Sequence, residues 1–283
     1  MRAPPGLSAI SVANLTIGRI DPARFVEEAA AAGFGRVGLL LASATPNPLE
    51  HPIVGRPEVM RATRAALQRT GTTVFDVEAF ILSPHAGIEA YHPILAAGAE
   101  LGATHISAIG APVADEPALS PAQRIDLLGR LCDAAAGFGL HVGVEFMLYR
   151  DIRTATEALA LVEATGRPNL GLILDALHIA RAGTTVAELA RLPAGRIAYA
   201  QLCDAHAASP LLAALPTEAR TNRLHPGDGV LPLSEFLAML PDGTPLAIET
   251  PVAAEAGWTT QARLHEAARR TLAFLQTQRS SAP

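Results

Sequence analysis

The stretch that decides the fold is a short apolar run that ends in an acid: Leu170-Gly171-Leu172-Ile173-Leu174-Asp175, followed at once by Ala176-Leu177-His178. A brief apolar run bounded by polar residues is typical of a buried strand in a parallel sheet. The carboxylate at its end places a polar group where such a strand leaves the sheet. The same pattern can be searched for along the rest of the chain.

Comparable runs recur from end to end, each followed by a longer segment with helical periodicity. This alternation is expected when parallel strands are joined by helical crossovers. The eight predicted strands are Ser8–Thr16, Arg36–Ala42, Thr73–Leu82, Thr104–Ala111, Leu140–Met147, Leu170–Asp175, Ile197–Cys203 and Pro245–Thr250. Eight units in 283 residues is about 35 residues per unit, the size found in closed eight-stranded barrels. We therefore predict an α/β fold, a single (β/α)8 TIM barrel over residues 1–283.

A doubly wound open sheet is the alternative architecture. That fold carries a glycine-rich phosphate loop after its first strand, whereas residues 14–19 here read Asn-Leu-Thr-Ile-Gly-Arg, and no P-loop is present. Helix punctuation agrees with the alternation of strands and helices. Asp21-Pro22 and Ser120-Pro121 are predicted to start helices, and Gly33 and Gly139 to end them.

Composition narrows the function. All 22 basic residues are arginine, so Schiff-base and pyridoxal-phosphate chemistry, which need a lysine amine, are excluded. A net charge of −5 without a basic block indicates no nucleic acid and no membrane as partner, and favours a small-molecule substrate. The two cysteines, Cys132 and Cys203, lack CxxC spacing, and no signal peptide is evident, so we expect a cytoplasmic protein.

Four successive predicted strands end in an oxygen donor: Glu145, Asp175, Gln201 and Glu249. In a TIM barrel these ends converge on one mouth. Burying three carboxylates there is costly without a compensating charge, and a divalent metal ion would supply it. An all-oxygen set favours Mg or Mn, with Co or Zn also compatible. For each acid taken alone, a helix cap or an arginine pair is the competing interpretation.

Two further polar residues are candidates for substrate binding. His178 follows Asp175 and is either a surface histidine at a helix start or an acid–base group in the mouth. Glu78 ends the third strand on its inward phase and either binds substrate or pairs with an arginine. The remaining histidines without ligand spacing are predicted to be surface or packing residues: His51, His85, His92, His105, His141, His206 and His265.

With these residues placed, the sequence resembles the sugar phosphate isomerase/epimerase-like family, whose members are xylose-isomerase-like barrels. The motifs that carry the resemblance are Val144-Glu145, Asp175-Ala176-Leu177-His178, Gln201-Leu202-Cys203-Asp204, Arg223-Leu224-His225-Pro226-Gly227-Asp228-Gly229 and Ile248-Glu249. The resemblance implies that Glu145, Asp175, Gln201 and Glu249 bind one divalent metal. It also implies that the two glutamates exchange the substrate proton and that His178 and Arg223 bind substrate oxygens. Enzymes of this kind are often dimers or tetramers, so a homo-oligomer is compatible with the resemblance.

The resemblance departs at Gln201, where ketose epimerases commonly carry histidine. A glutamine there is similar to the related 3-dehydroshikimate dehydratases. The first hypothesis is a metal-dependent isomerase or epimerase of a sugar, sugar phosphate or keto-polyol, which abstracts a proton next to a carbonyl. The alternative is a dehydratase of a 3-dehydroshikimate- or keto-inositol-like substrate, with His178 as proton donor to the leaving group. A non-catalytic binding barrel is a third hypothesis. A metal-dependent endonuclease of the same superfamily is disfavoured, because the many histidines and the basic surface it would need are absent.

Overall fold

The structure, a computed structural model, describes residues 6–41, 49–85, 87–113 and 118–280. Eight parallel strands pair in sequence order and close on themselves, because β1 pairs with both β2 and β8. The strands are β1 Ser11–Ala13, β2 Arg36–Leu40, β3 Thr73–Leu82, β4 His105–Gly110, β5 His141–Glu145, β6 Leu170–Asp175, β7 Ile197–Leu202 and β8 Leu246–Ile248. The predicted TIM barrel is confirmed.

The predicted strand limits agree closely at the centre of the chain and less well at its ends. β3 and β6 span the predicted residues. β1 is shorter than predicted, because 3-10 turns at Leu7–Ala9 and Asn14–Thr16 flank it. Ala42, the predicted end of the second strand, lies outside the described residues. Glu249 follows β8 directly, and its backbone N–H still donates to the carbonyl of Leu202 at 3.2 Å.

Helices connect the strands and cover the barrel. They are α1 Pro22–Ala31, α2 Pro57–Thr70, α3 His92–Glu100, α4 Pro121–Ala136, α5 Ala155–Thr165, α6 Ala176–Arg181, α7 Val186–Leu189, α8 Leu215–Thr221, α9 Leu233–Met239 and α10 Thr260–Ser280. The two predicted starts are confirmed: the Asp21 carboxylate accepts from the Arg24 N–H at 3.1 Å, and Ser120 forms a capping box with Gln123. Within the described parts of the chain, no helix combines the length and apolar character that crossing a bilayer requires.

Side chains fill the barrel below its mouth. Phe75, Ile173 and Tyr199 form an interior cluster, in which the rings of Phe75 and Tyr199 meet edge to face with centroids 5.0 Å apart. The interior is therefore a packed core rather than a channel. Polar groups at the carboxyl ends of the strands lie above this core, and they surround a cavity at the mouth of the barrel.

Candidate active site

A cavity of about 420 Å³ opens at the carboxyl ends of the strands. Of the predicted site residues, its lining includes Glu78, Glu145, His178, Arg223 and Glu249. Asp175 and Gln201 lie beside this lining and are almost fully buried, at 0% and 2% exposure. The structure therefore gathers all seven predicted residues at one end of the barrel, five of them on the cavity wall.

Strand register explains why the predicted ligands are neighbours. Asp175 pairs directly with Gln201 between β6 and β7. Glu145 ends β5, where it pairs with Ile173 of β6, and Glu249 continues β8 beside Leu202 of β7. Since parallel strands in register end at one level, oxygen donors on four adjacent strands converge.

Arg223 lies between two of the predicted metal ligands. Its Nη1 is 2.6 Å from Asp175 Oδ2 and its Nη2 is 2.7 Å from Glu249 Oε2. The side chain is 1% exposed, and its Nε donates to the Ala219 carbonyl at 2.8 Å. Burial alone would lower the pKa of Arg223, but Asp175 and Glu249 raise it well above its usual value. Arg223 is therefore a permanently charged partner of two acids.

This placement bears on two expectations from the sequence. The resemblance implied that Arg223 binds substrate oxygens; the residue lines the cavity, and its terminal nitrogens donate to two carboxylates, so that role stays a prediction. A metal ion was expected to compensate the three acids, with an arginine pair as the competing interpretation, since the chain has no lysine. An arginine from a distant loop supplies one positive charge, which leaves two of the three negative charges uncompensated.

The loop that carries Arg223 is fixed by Asp204. Its carboxylate accepts hydrogen bonds from the backbone N–H groups of Gly227 at 3.1 Å and Leu231 at 2.9 Å. Gly229 permits this close approach, since a Cβ there would lie 2.3 Å from the Ala205 carbonyl oxygen and 2.4 Å from Asp204 Oδ1. The Pro-Gly-Asp-Gly turn thus serves to seat the loop on β7 and to direct Arg223 inward.

Asp175 is both a helix cap and the partner of an arginine, the two competing interpretations for an acid at a strand end. Its Oδ1 caps α6 by accepting from the N–H groups of Leu177 at 2.8 Å and His178 at 3.0 Å, and its Oδ2 pairs with Arg223. Burial would raise the pKa of Asp175, but Arg223 and His178 hold it below its usual value. The ionised carboxylate also fixes the first turn of α6, and with it the position of His178.

His178 points into the cavity beside Glu145, with 3.7 Å between His178 Nε2 and Glu145 Oε1. Both atoms are buried and have no hydrogen-bond partner within the described part of the protein. Burial, together with the charges of Glu249 and Asp175, raises the pKa of Glu145 well above its usual value. Burial lowers the pKa of His178 to about 4, although Asp175 opposes this. A carboxyl group and a neutral imidazole thus face the cavity side by side.

The donor set fits a divalent cation. Ligand atoms of Glu145, Asp175 and His178 all lie within 4.8 Å of one another. The amide oxygen of Gln201 is also buried and has no hydrogen-bond partner among the described residues. The pKa of Glu249 is raised to about 7 by burial, although Arg223 lowers it. Unsatisfied oxygens and raised carboxyl pKa values in one place mark a site that an added positive charge stabilises.

Several residues in and beside the cavity were missed by sequence reasoning. Asp76 lies two residues before Glu78 and accepts a hydrogen bond from the Tyr199 hydroxyl across the barrel at 3.0 Å. The spacing of two along β3 was a usable signal, since it puts both acids on one face. Arg150 and Arg220 also line the cavity. They come from a loop and from α8, and no local pattern predicts that those segments meet.

The comparisons with known proteins agree with this architecture. A 3-dehydroshikimate dehydratase of Pseudomonas aeruginosa is 36% identical over 141 residues, 49% of this chain and 22% of the enzyme. An inosose isomerase of Halalkalibacterium halodurans is 28% identical over 120 residues, 41% of this chain and 40% of the enzyme. The matched segments therefore span less than half the length of these curated relatives.

A solved structure shares the fold over nearly the whole chain. The crystal structure of the IOLI protein with a bound zinc atom has a TM-score of 0.79 and 15% sequence identity, and the match covers 95% of this chain and 99% of that one. The family model described as xylose isomerase-like TIM barrel matches residues 26–278. The protein therefore belongs to the xylose isomerase-like TIM barrel family.

Proposed function

We propose that the protein is a divalent-metal-dependent enzyme that removes a proton next to the carbonyl group of a small polyhydroxylated substrate. The observation that carries the proposal is the Glu145 carboxyl group, which lines the cavity with an unsatisfied oxygen beside His178 and near Asp175. A carboxylate placed this way is suited to act as a general base.

Glu145, Asp175, Gln201 and Glu249 would hold the metal ion. When bound, the ion would polarise the substrate carbonyl. Their oxygens favour Mg or Mn, and Co or Zn is compatible. Arg223 pairs with one oxygen of Asp175 and one oxygen of Glu249. Each of these carboxylates has a second oxygen, and the second oxygen of Asp175 caps α6. The arginine would then act by holding Asp175 and Glu249 in place for the ion.

The favoured reaction is dehydration of a cyclic keto acid of the 3-dehydroshikimate type. Arg150 and Arg220 line the cavity close enough to His178 for their charges to lower its pKa further. Guanidinium groups are the usual partners of a substrate carboxylate, which a keto-inositol lacks. Gln201 and the segment shared with the Pseudomonas aeruginosa dehydratase support the same reaction.

In this reaction Glu145 accepts the proton from the carbon next to the carbonyl. A carbon–carbon double bond forms as the bond to the hydroxyl on the adjoining carbon breaks. The departing hydroxyl takes up a proton from an acid in the cavity and leaves as water. His178 can contact the hydroxyl, since it lines the cavity and its Nε2 has no hydrogen-bond partner among the described residues.

Isomerisation or epimerisation of a sugar or keto-polyol is the second candidate. It is favoured by Glu145 and Glu249, which both line the cavity from different strands and could remove and return a proton on two sides of a carbon. The matched segment of the inosose isomerase supports this alternative. The two candidates share the first proton transfer and differ in where the electron pair goes.

One experiment separates the candidates. The metal-loaded protein is incubated in D₂O with 3-dehydroshikimate, a keto-inositol and a panel of ketoses, and Glu145→Gln is run alongside. Growth of an aromatic ultraviolet absorbance supports the dehydratase, and deuterium in recovered sugar or inositol supports the isomerase. If no substrate reacts or exchanges, the proposal is contradicted and a binding barrel remains.

A further inference from the structure

Two acids, Asp76 and Glu78, lie on the inner face of β3. Both are buried. Glu78 lines the cavity, and Asp76 lies two residues earlier on β3, deeper in the barrel. The barrel makes room for this pair at Gly38 of β2, which is the register partner of Asp76. A Cβ at Gly38 would lie 2.5 Å from Asp76 Oδ1. A glycine at this position therefore allows a carboxyl group inside the barrel.

The two side chains lie two residues apart on one face of β3, so each carboxyl group is the nearest acid to the other on this strand. Asp76 Oδ1 and Glu78 Oε1 have no hydrogen-bond partner among the described residues. Among the described residues, no arginine or histidine forms an ion pair with either acid. Two adjoining carboxylates cannot both be ionised in such a place, so the pair carries one proton.

The surroundings assign that proton to Glu78. The Tyr199 hydroxyl donates to Asp76 Oδ2 at 3.0 Å and so stabilises an Asp76 anion. Glu78 Oε1 instead has no such donor among the described residues. Burial and the charge of Asp76 raise the pKa of Glu78 well above its usual value, whereas burial raises the pKa of Asp76 only to about 6 because the Tyr199 hydroxyl lowers it.

We propose that Glu78 is a neutral carboxylic acid that donates its proton to a substrate oxygen in the cavity, held in that state by Asp76. The inference rests on the proposed function and adds the acid that the reaction needs. In the dehydration, the O–H bond of Glu78 breaks as the departing hydroxyl becomes water. Glu145 has gained the proton from carbon, and after product release Glu145 loses one proton to solvent while Glu78 regains one.

The geometry suits this division of roles. Glu145 comes from β5 and Glu78 from β3, so base and acid approach the cavity from different strands. Paired titratable groups whose surroundings drive their pKa values apart are the usual acid and base of such sites. Neither Asp76 nor Tyr199 is one of the described residues that line the cavity. Both therefore serve as positioning residues.

The test compares Glu78→Gln, Asp76→Asn and the exposed control Glu89→Gln in the metal-loaded protein, with 3-dehydroshikimate and a keto-inositol as probes. We expect Glu78→Gln to lower kcat about 10² to 10⁴-fold with little change in KM. We expect the infrared band of a protonated carboxylic acid in the wild type and in Glu89→Gln, and its loss in Glu78→Gln. Asp76→Asn removes the negative charge that keeps Glu78 protonated, so the alkaline limb of its kcat profile should move to lower pH.

Two results overturn the proposal while leaving the proposed function in place: a wild-type spectrum without that band, or a Glu78→Gln variant with wild-type kcat. A wild-type protein inactive on both probes overturns the proposed function and proton donation together. A folding defect in Glu78→Gln is recognised by its circular dichroism, and Asp76→Asn then decides the question, since an unmoved pH profile contradicts the proposal.

Discussion

Arg223 and Asp175 form a fully buried ion pair, with 2.6 Å between Nη1 and Oδ2, at the centre of the proposed metal site. The same guanidinium contacts Glu249 at 2.7 Å. Three carboxylates and one arginine leave net negative charge in a dry environment, where unpaired charge is costly. The arginine is therefore part of the proposed site rather than a competitor that neutralises it.

Removing this arginine should destabilise the metal-free protein strongly. Arg223→Gln leaves Asp175 and Glu249 without their cation, and breaking a buried pair this way costs about 3 to 5 kcal/mol. Saturating Mn²⁺ should restore part of this loss, because the ion supplies the missing positive charge. Urea unfolding with and without Mn²⁺ measures both effects. Equal losses in the two conditions would contradict a shared ligand set, and exposed Arg191→Gln is the matched control.

Replacing the proposed base should remove activity and preserve the fold. Glu145→Gln keeps the shape of the side chain but cannot accept a proton, so we expect turnover to fall by at least about 10² to 10⁴-fold. Steady-state kinetics and circular dichroism check this. The same chemical change at exposed Glu89 should have no effect. Wild-type turnover in Glu145→Gln would exclude this residue as the base.

Arg220 should discriminate between a carboxylate substrate and a neutral one. Losing a charge-assisted hydrogen bond costs about 1.5 to 3 kcal/mol, so Arg220→Gln should raise KM for 3-dehydroshikimate about tenfold or more. KM for a keto-inositol should stay nearly constant. Parallel rises for both substrates would show that Arg220 acts on the shape of the cavity and not on a carboxylate.

The Gly229 turn should tolerate no side chain. In Gly229→Ala the new Cβ would meet the Ala205 carbonyl at 2.3 Å, and forcing such contacts typically costs about 1 to 3 kcal/mol. The turn positions Arg223, so metal affinity should fall as well. Thermal unfolding and Mn²⁺ titration report the two losses. Gly257→Ala is the control, since its Cβ would meet no atom within 4 Å; similar behaviour of the two variants would refute the packing argument.

Sequence patterns predicted most of the fold because the strands are short apolar runs with polar ends. β3 and β6 have the predicted limits, and β6 delivers Asp175 to the mouth as expected. β1 was predicted too long, because its flanking residues are apolar but turn into 3-10 helix. An apolar run predicts that a segment is buried, but it does not predict where the segment stops pairing with its neighbouring strands.

The chemistry of the site was harder to predict, because several of its contacts join residues that are far apart in the sequence. Glu145, His178 and Glu249 follow from strand ends alone. The pairing of Arg223 with Asp175 spans 48 residues of sequence, and the bond from Tyr199 to Asp76 spans 123. Such contacts depend on barrel closure and loop packing, which leave no local pattern.

Metal titration of chelator-treated protein tests the central claim most directly. We predict saturable binding of about one Mn²⁺ per chain, strongly weakened in Glu145→Gln and in Asp175→Asn and unchanged in Glu89→Gln. Calorimetry of all four proteins under one condition is sufficient. Absence of saturable binding in the wild type, or equal binding in all the variants, would contradict a metal site built from these strand-end residues.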